Sequence, residues 1–341
     1  MKILIIGGTG LISTAISRQL LAAGHDLTLY NRGETEPRLP EGYHVMQGDR
    51  KDCAAFEAQM ADAGEFDCVI DMICFEPAQA ESDIRAFKGR TGQLIFCSTV
   101  DVYTKPPQTF PVTESHERQS LSDYGRNKAK CEDLFMAAHQ EGHFPVTVLR
   151  PASTYGEGGN IIHTFGWGTF FLDRMREGKP IIVHGDGEAL WVSCHIEDVA
   201  RAFVNAIGNE KAFGKAYHLA GEEWQTWNQY HDRLAEAIGA PKPALVHIPA
   251  DVLVRISPDQ TMVTYLNFQY TNIFDNSAAQ TDLGFEVTID WKTGAKRTYD
   301  WLEEHGQIES WRSFPLYDHV LASYKKQCSE MVASLADLNK R

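Results

Sequence analysis

The sequence predicts an α/β fold, in which a Rossmann-type doubly wound parallel sheet carries a smaller, mostly C-terminal α/β substrate domain. Three observations predict it: an N-terminal apolar run that ends in a glycine-rich turn, an alternation of apolar strands with amphipathic helices, and a length of 341 residues. That length suits one nucleotide domain with a substrate domain better than two independent units.

Residues 1–17 predict strand, turn and helix in immediate succession. Ile3 to Ile6 form the unbroken apolar run of a parallel strand buried on both faces. A helix follows, because apolar residues recur at helical spacing at Leu11, Ala15, Ile16, Leu20 and Leu21. The intervening glycines allow a tight turn at the helix N-terminus, where backbone amides bind phosphate. This context favours a dinucleotide site over an ordinary glycine turn.

The rest of the chain continues the alternation. Further strands are predicted at Asp26–Tyr30, Val45–Asp49, Phe66–Met72, Gln93–Ser98 and Tyr217–Gly221, and a late strand and helix at Glu286–Tyr299. The predicted domains are a dinucleotide-binding domain at 1–156, to which 190–221 returns, a substrate domain at 157–189 and 222–310, and a helical tail at 311–341.

Composition limits the class of protein. The formal charge of -14 repels phosphate backbones and makes nucleic acid an unlikely main partner. The seven cysteines are scattered without metal-ligand spacing, which predicts reduced thiols and no metal. No signal peptide or membrane-spanning run is evident, so we expect a cytoplasmic protein that acts on a small molecule.

The end of the second strand bears on cofactor choice. An acidic residue there would bond the adenosine ribose and repel a 2′-phosphate. Asn31 removes that repulsion, and Arg32 offers donors to a phosphate, so the sequence favours NADP over NAD. Asn31 can still bond a ribose hydroxyl, and a solvated Arg32 is equally compatible with these residues. Asp49 ends the third strand, where its carboxylate can accept from an adenine amino group.

Two segments carry the predicted chemistry. Ser98 and Thr99 end a strand, at the edge where open parallel sheets bind ligands. Tyr124 and Lys128 are four residues apart and share one helix face. A nearby ammonium and an oxidised nicotinamide favour the phenolate of a tyrosine, which makes a proton-transfer device for alcohol–ketone interconversion.

These motifs resemble the extended short-chain dehydrogenase/reductase superfamily, the group of NAD-dependent epimerases and dehydratases. The resemblance covers about the first 220 residues. Its motifs are the glycine turn, Gly48-Asp49, Ser98-Thr99 with Val102-Tyr103, the Tyr124/Lys128 pair, Leu149-Arg150-Pro151 with Tyr155-Gly156, Gly185-Asp186-Gly187, and His195 with Asp198. It implies a nicotinamide cofactor, a frequent two-helix homodimer interface at helices starting near Asp101 and Tyr124, and a structural role for His195 and Asp198, the latter serving the first turn of its helix.

The resemblance also implies residue roles. Thr99 is the hydroxyl partner, Tyr124 the acid/base, and Lys128 the residue that bonds the nicotinamide ribose and lowers the pKa of Tyr124; Ser98 is the less favoured hydroxyl. The implied cofactor-binding residues are Gly7, Thr9, Gly10, Leu11, Ile12, Asn31, Arg32, Asp49, Arg50, Cys97, Lys128, Pro151 and Ser153.

Departures from the family narrow the expected substrate. Ser13 replaces the third glycine and brings a hydroxyl near the expected pyrophosphate. Val100-Asp101 replaces the Asp-Glu of dehydratases, which disfavours sugar-nucleotide dehydration. Trp191 replaces the arginine that clamps a diphosphate, and Ser153 stands where relatives have asparagine. We therefore expect a substrate other than a nucleotide diphosphate sugar, or one held differently.

Candidate substrate residues are Asp101, His163 and Trp191. Asp101 equally suits a local loop contact, and core packing is the favoured alternative for the aromatic residues between Gly156 and His184. Two function classes follow. The first is a hydride-transfer enzyme, whether epimerase, reductase or decarboxylase. The second is a non-catalytic protein, because Asn31-Arg32-Gly33 and Gly48–Asp52 resemble chloroplast stem-loop RNA-binding relatives; the intact Thr99, Tyr124 and Lys128 favour the enzyme.

Overall fold

The computed structural model describes residues 1–336, which fall into two compact units. The first unit comprises Met1–Gly159, Trp191–Trp224 and Tyr270–Gly294. The second comprises Asn160–Leu190, Gln225–Gln269 and the described residues from Ala295 onward. The last five residues of the predicted helical tail, 337–341, lie outside the described part of the chain.

The strands are β1 Lys2–Ile6, β2 Asp26–Asn31, β3 Tyr43–Gln47, β4 Cys68–Asp71, β5 Leu94–Cys97, β6 Val146–Pro151, β7 Ser153–Tyr155, β8 Ile181–His184, β9 Leu190–Trp191, β10 Ser193–His195, β11 Lys215–Leu219, β12 Gln225–Thr226 and β13 Leu245–Ile248. The helices are α1 Leu11–Ala22, α2 Cys53–Ala63, α3 Pro77–Phe87, α4 Asp123–Gln140, α5 Phe170–Arg176, α6 Ile196–Ala206, α7 Trp227–Ile238, α8 Ala250–Ile256, α9 Pro258–Val263, α10 Ser277–Leu283, α11 Trp291–Glu304 and α12 Leu316–Leu335. No helix among residues 1–336 has the length and apolarity to cross a membrane.

A seven-stranded sheet in the order β11-β6-β5-β4-β1-β2-β3 forms the centre of the first unit. Every neighbouring pair in it is parallel. One apolar cluster packs α1 and α6 on one face, and a second packs α2, α3 and α4 on the other. The predicted doubly wound α/β fold is therefore confirmed. The strand order reverses between β1 and β4, and ligands bind at such a point beyond the carboxyl ends of the strands.

Local details of the first unit differ from the sequence-based predictions. No strand forms at 286–291, so that prediction was wrong. Asp198 accepts from the backbone amides of Thr288 (3.2 Å) and Ile289 (3.1 Å) and thereby holds this segment as a loop. Asp198 lies in the first turn of α6, as predicted, where its negative charge favours the helix N-terminus. His195 caps α6 by accepting from the Glu197 amide.

Two further differences concern boundaries. The predicted substrate domain includes 270–294, but this segment belongs to the first unit, because α10 packs on α6 and β11.

Only a single 3-10 turn forms at Val100–Val102, whereas a helix was expected near Asp101 for the two-helix dimer interface. Thr99, two residues after β5, caps this turn, because its side chain accepts from the Asp101 amide at 3.1 Å.

The second unit contains the parallel pair β8 and β13 and an aromatic core. The last helix, α12, is attached through Tyr317, whose hydroxyl accepts from the Ile182 amide, and through an ion pair of 2.9 Å between Arg174 and Asp318. The described part of the predicted tail is therefore packed against the second unit.

Candidate active site

The turn after β1 accepts only glycine at two positions. Gly7 has a φ of +85°, and a Cβ there would lie 2.5 Å from Ile73; a Cβ on Gly8 would lie 2.5 Å from Leu29. Ser13 closes the turn, because its hydroxyl accepts from the Gly10 amide (2.8 Å) and donates to the Gly7 carbonyl (2.7 Å). The serine that replaces the third glycine thus holds the shape of the turn.

One cavity of about 370 Å³ extends from this turn past the ends of β2 and β3. It is lined by Gly7, Thr9, Gly10, Tyr30, Asn31, Arg32, Gly33, Glu34, Thr35, Gly48, Asp49, Arg50, Lys51, Ile73, Phe75 and Gln79. Asn31 accepts from the Gly33 amide (2.9 Å) through Oδ1, while its buried Nδ2 has no hydrogen-bond partner among residues 1–336. Asn31 therefore brings an unpartnered, buried donor to the residues that line this cavity.

Two predicted cofactor residues at this cavity already have partners of their own. Arg32 is exposed and forms an ion pair with Glu34 at 2.8 Å. Asp49 accepts from the Lys51 amide at 2.9 Å through one carboxylate oxygen.

Arg50 also lines this cavity but is buried among carboxylates. It bonds Asp83 at 2.7 Å and lies 3.6 Å from a carboxylate oxygen of Asp71. Burial and the neighbouring charge of Asp71 raise the pKa of Asp83 above its ordinary value, although Arg50 opposes the shift. The Nη1 atom of Arg50 has no hydrogen-bond partner within the described chain. Arg50 was predicted from the sequence as a cofactor-binding residue, whereas no sequence pattern indicated that Asp71 and Asp83 lie beside it.

A second cavity, of about 240 Å³, shares Gly7, Gly10 and Ile73 with the first. It brings together most of the remaining predicted residues: Leu11, Ile12, Cys97, Thr99, Tyr124, Lys128 and Pro151. Ser153 is not among its lining residues, which include Thr154 instead. The helix that carries Tyr124 begins at Ser122, whose hydroxyl caps it by accepting from the Gly125 amide.

Tyr124 and Thr99 both line the second cavity. Tyr124 is 45% exposed as a residue, yet loss of hydration at its phenol raises the pKa above its ordinary value. The charges of Cys97 and Asp101 add to this rise, whereas the hydrogen bond with Thr99 lowers the pKa. The expected lowering of the pKa by Lys128 is therefore not seen in the protein without its cofactor.

Lys128 explains that difference. Its ammonium donates to the carbonyl of Cys97 at 2.7 Å, and it lies 4.8 Å and 4.7 Å from the ring centres of Phe75 and Phe96. The ammonium is thus bonded to the strand end and not to the phenol of Tyr124. Phe75, which sequence analysis missed, lies 6.3 Å from the Tyr124 ring, centre to centre.

The glycine turn and the strand-end residues agree with a family model. The model of the NAD-dependent epimerase/dehydratase family matches residues 3–220. The chain belongs to this family. As a member it is an NAD(P)-dependent oxidoreductase or epimerase of the extended short-chain dehydrogenase/reductase type, and the predicted resemblance is confirmed.

Relatives of this family member include a reductase and a stem-loop binding protein. A 2′-dehydrokanamycin reductase from Streptomyces kanamyceticus is 29% identical over 74% of this chain and 70% of its own length. A chloroplast stem-loop binding protein of 41 kDa from Arabidopsis thaliana is 31% identical over 72% of this chain and 65% of its own length. Among solved structures, a UDP-glucose 4-epimerase from Thermotoga maritima superimposes with a TM-score of 0.73, at 22% identity over 89% of this chain and 99% of its own. This last likeness shows the fold.

The residues of this family member fit a dinucleotide. The two cavities meet at the glycine turn, and Asn31 and Arg50, each with a buried donor that has no partner in the described chain, line the first. The amides of Leu11 and Ile12, in the first turn of α1, have no acceptor within the helix and remain for a phosphate. The Gly10 amide does not, because Ser13 accepts from it.

The three candidate substrate residues lie outside both cavities. Asp101 is buried; its carboxylate accepts from Ser122 and lies 3.6 Å from the ammonium of Lys105. His163 is buried in the second unit, stacked on Phe171 at 4.2 Å between ring centres. Trp191 is 4% exposed. None of the three lines the proposed cofactor cavities, and their place at the substrate stays a prediction.

Proposed function

We propose that the protein binds NADP or NAD along the two cavities and transfers a hydride at a secondary alcohol or ketone carbon of a small, carbohydrate-like substrate. The observation that carries this proposal is the second cavity, where Thr99, Tyr124 and Lys128 line the same space as the glycine turn. A dinucleotide held along both cavities would have its nicotinamide end beside Thr99, Tyr124 and Lys128. The bound nicotinamide supplies the hydride chemistry.

The chain's own residues supply the proton chemistry. In the oxidation direction, the phenolate of Tyr124 takes the proton of the substrate hydroxyl while the carbon-bound hydrogen leaves as hydride. Thr99 bonds the same substrate oxygen and keeps it within reach of the phenol. Lys128 would bond the nicotinamide ribose, and the positive charge of an oxidised nicotinamide would lower the pKa of Tyr124.

The cofactor choice proposed is NADP. Support comes from the end of β2, where Asn31 carries no charge to repel a 2′-phosphate and Arg32 is exposed beside the first cavity. The ion pair with Glu34 competes for Arg32, and the 2′-phosphate would replace it. Arg32→Ala should therefore weaken NADPH binding about tenfold and leave NADH binding unchanged. Equal losses for both cofactors would contradict the NADP choice.

The first test identifies the cofactor. Freshly purified protein is denatured, and any released nicotinamide cofactor is identified and counted by mass spectrometry. Near-stoichiometric NAD would indicate an internal oxidation–reduction cycle, as in epimerases, and would overturn the NADP choice. Empty protein that binds NADPH more tightly than NADH would support an oxidoreductase that exchanges its cofactor. Failure to bind either one would overturn the proposed function.

The second test concerns Tyr124. Tyr124→Phe should abolish oxidation or reduction, followed at the absorbance of NAD(P)H, of 2′-dehydrokanamycin, UDP-glucose and simple sugars, while cofactor affinity stays nearly intact. These probes follow from the names of the relatives. Tyr43→Phe, at the start of β3, is the matched control and should keep full activity. Full activity of Tyr124→Phe would remove this residue from the mechanism.

The non-catalytic alternative has one observation in its favour, the 31% identity to a stem-loop binding protein. The charge of -14 opposes it. Filter binding of a stem-loop RNA at increasing salt separates the two functions. A steeply salt-dependent affinity that persists at physiological ionic strength would favour the RNA-binding function.

A further inference from the structure

Three consecutive residues at the end of β5 face three successive turns of α4. Cys97 and Ser98 are hydrogen-bonded to Lys128 and Glu132, and Thr99 lines the second cavity together with Tyr124. The helix residues are spaced by four, so they lie on one face of α4. The strand end and the helix are therefore joined by a ladder of three contacts, and only the pair at the open end contains the proposed acid/base.

Glu132 forms the deepest contact of this ladder, and all its acceptor capacity is used. One carboxylate oxygen accepts from the Ser98 hydroxyl and from Nε of Arg150 at 2.9 Å. The other accepts from Arg150 at 2.6 Å and from Arg118 at 2.7 Å. A carboxylate with four donors has a fixed orientation, because any rotation breaks charge-assisted bonds.

The contact is also shielded from water. Glu132 is 1%, Ser98 3% and Arg150 4% exposed. Arg150 ends β6 beside β5 and is itself held by Tyr103, whose hydroxyl accepts from Nη1. A buried carboxylate between two guanidinium groups is stabilising only while every partner is present. The fixed carboxylate of Glu132 holds the hydroxyl of Ser98 in one orientation. Ser98 is the residue before Thr99 in the chain, so its position restricts that of Thr99.

We infer that Glu132 is a positioning residue, which acts through Ser98 to hold the strand end carrying Thr99 at hydrogen-bonding distance from Tyr124. The inference rests on the proposed function, because it assigns Glu132 to the geometry of the same acid/base pair. Glu132 is not among the residues that line the second cavity; Ser98 lines it, but its hydroxyl donates to Glu132. The consequence is measurable at the phenol of Tyr124, because the Thr99 hydrogen bond lowers the pKa of that group.

The test uses the Ser98→Ala variant, which removes one hydroxyl and leaves the pairs of Glu132 with Arg150 and Arg118 in place. Tyr124 is replaced by 3,5-difluorotyrosine, whose phenol ionises in a measurable pH range, and is titrated by ¹⁹F NMR with and without NAD⁺. We expect the phenol pKa to rise by about half a unit to one unit in Ser98→Ala, because the Thr99 hydrogen bond weakens.

Thr147→Val is the matched control. Thr147 lies on β6, is fully buried, and its hydroxyl donates to the Ala212 carbonyl at 3.0 Å, away from α4. Both variants lose a buried hydroxyl, so both should melt at a lower temperature, but only Ser98→Ala should move the phenol pKa. An unchanged pKa in Ser98→Ala, or an equal rise in Thr147→Val, would overturn the inference.

Glu132→Gln provides a second measurement, because the amide keeps the shape of the side chain and loses its charge. We expect its phenol pKa to rise at least as far as in Ser98→Ala; if this variant does not fold, Ser98→Ala decides alone. The titration without NAD⁺ tests the ladder even if the protein binds no nicotinamide cofactor. Failure of the inference and failure of the proposed function therefore give different results.

Discussion

The ammonium of Lys128 donates to the backbone carbonyl of Cys97 at 2.7 Å, between the rings of Phe75 and Phe96. This bond holds the charge at the carboxyl end of β5, beside the glycine turn, in a residue that is 1% exposed. A charge in this place can bond a ribose hydroxyl without moving the helix. In the proposed function, Lys128 would make its ribose contact from this position.

Lys128→Met should therefore weaken NAD(P)H binding about 10- to 100-fold, since a hydrogen bond to a charged group contributes about 1.5–3 kcal/mol. Quenching of tryptophan fluorescence by the added cofactor measures the affinity. Lys130→Met is the control, because Lys130 is exposed two residues further along the same helix. Equal affinities of the two variants would exclude a cofactor contact for Lys128.

Ser13 should matter for stability as well as for shape. Ser13→Ala leaves the Gly10 amide and the Gly7 carbonyl without their partner, and should lower the free energy of unfolding by about 2 kcal/mol. Urea denaturation measures it. Ser17→Ala, one turn later on α1, is the control: its buried hydroxyl has no hydrogen-bond partner in the described chain, so its loss should change stability by less than about 0.5 kcal/mol.

Local patterns carried most of what the sequence could predict. The glycine turn between β1 and α1, and the pair Tyr124 and Lys128 on α4, depend on residues close together in the chain, and periodicity reveals them. The prediction failed at 286–291, where alternating apolar residues suggest a strand but Asp198 bonds the backbone amides instead.

Contacts between residues far apart in the chain could not be predicted from the sequence. Arg50 and Asp83 are 33 residues apart, and nothing near Arg50 indicates that its partner is a buried carboxylate. Glu132 lies on the same face of α4 as Tyr124 and Lys128, so its place beside them could have been predicted from spacing. Its partner Arg150 lies on β6, and that contact could not. Asp101 illustrates the same limit, because its partners Lys105 and Ser122 are fixed by the path of a loop.

Buried histidines predict sensitivity to acid. Burial lowers the pKa of His231 to about 4, while the bond of its Nδ1 to the Trp227 carbonyl opposes the shift. The folded-state pKa lies below the unfolded value of about 6.5, so the unfolded chain binds the proton first. The contribution of His231 to stability is complete above about pH 6.5 and is lost as the pH falls towards 4, by about 1.4 kcal/mol per pH unit.

His231→Gln should therefore flatten the fall in stability between pH 6.5 and 4.5, measured by urea denaturation at several pH values. The free energy of unfolding at pH 7.5 can itself differ between the variant and the parent, because the substitution also alters packing at a buried site. The test therefore compares only the change between pH 6.5 and 4.5. His44→Gln, at an exposed position on β3, should keep the slope of the parent protein. Parallel curves for His231→Gln and the parent would show that this histidine does not control acid unfolding.

Arg50 and Arg85 test the difference between buried and exposed ion pairs. Arg50→Leu leaves Asp71 and Asp83 buried without their counter-charge, and should destabilise the protein by about 3–5 kcal/mol. Arg85→Leu removes a pair with Glu57 whose side chains are 55% and 28% exposed, and should cost about 1 kcal/mol or less. Urea denaturation at pH 7.5 compares them, and equal losses would contradict the role of burial.

A double variant then separates stability from cofactor binding at Arg50. Adding Asp83→Leu to Arg50→Leu removes one uncompensated carboxylate, so part of the lost stability should return. Cofactor affinity should not return, because Arg50, which lines the first cavity and has an unpartnered Nη1, stays absent. If affinity recovers together with stability, Arg50 acts on the cofactor only by holding the fold, and its donor does not bind the nucleotide.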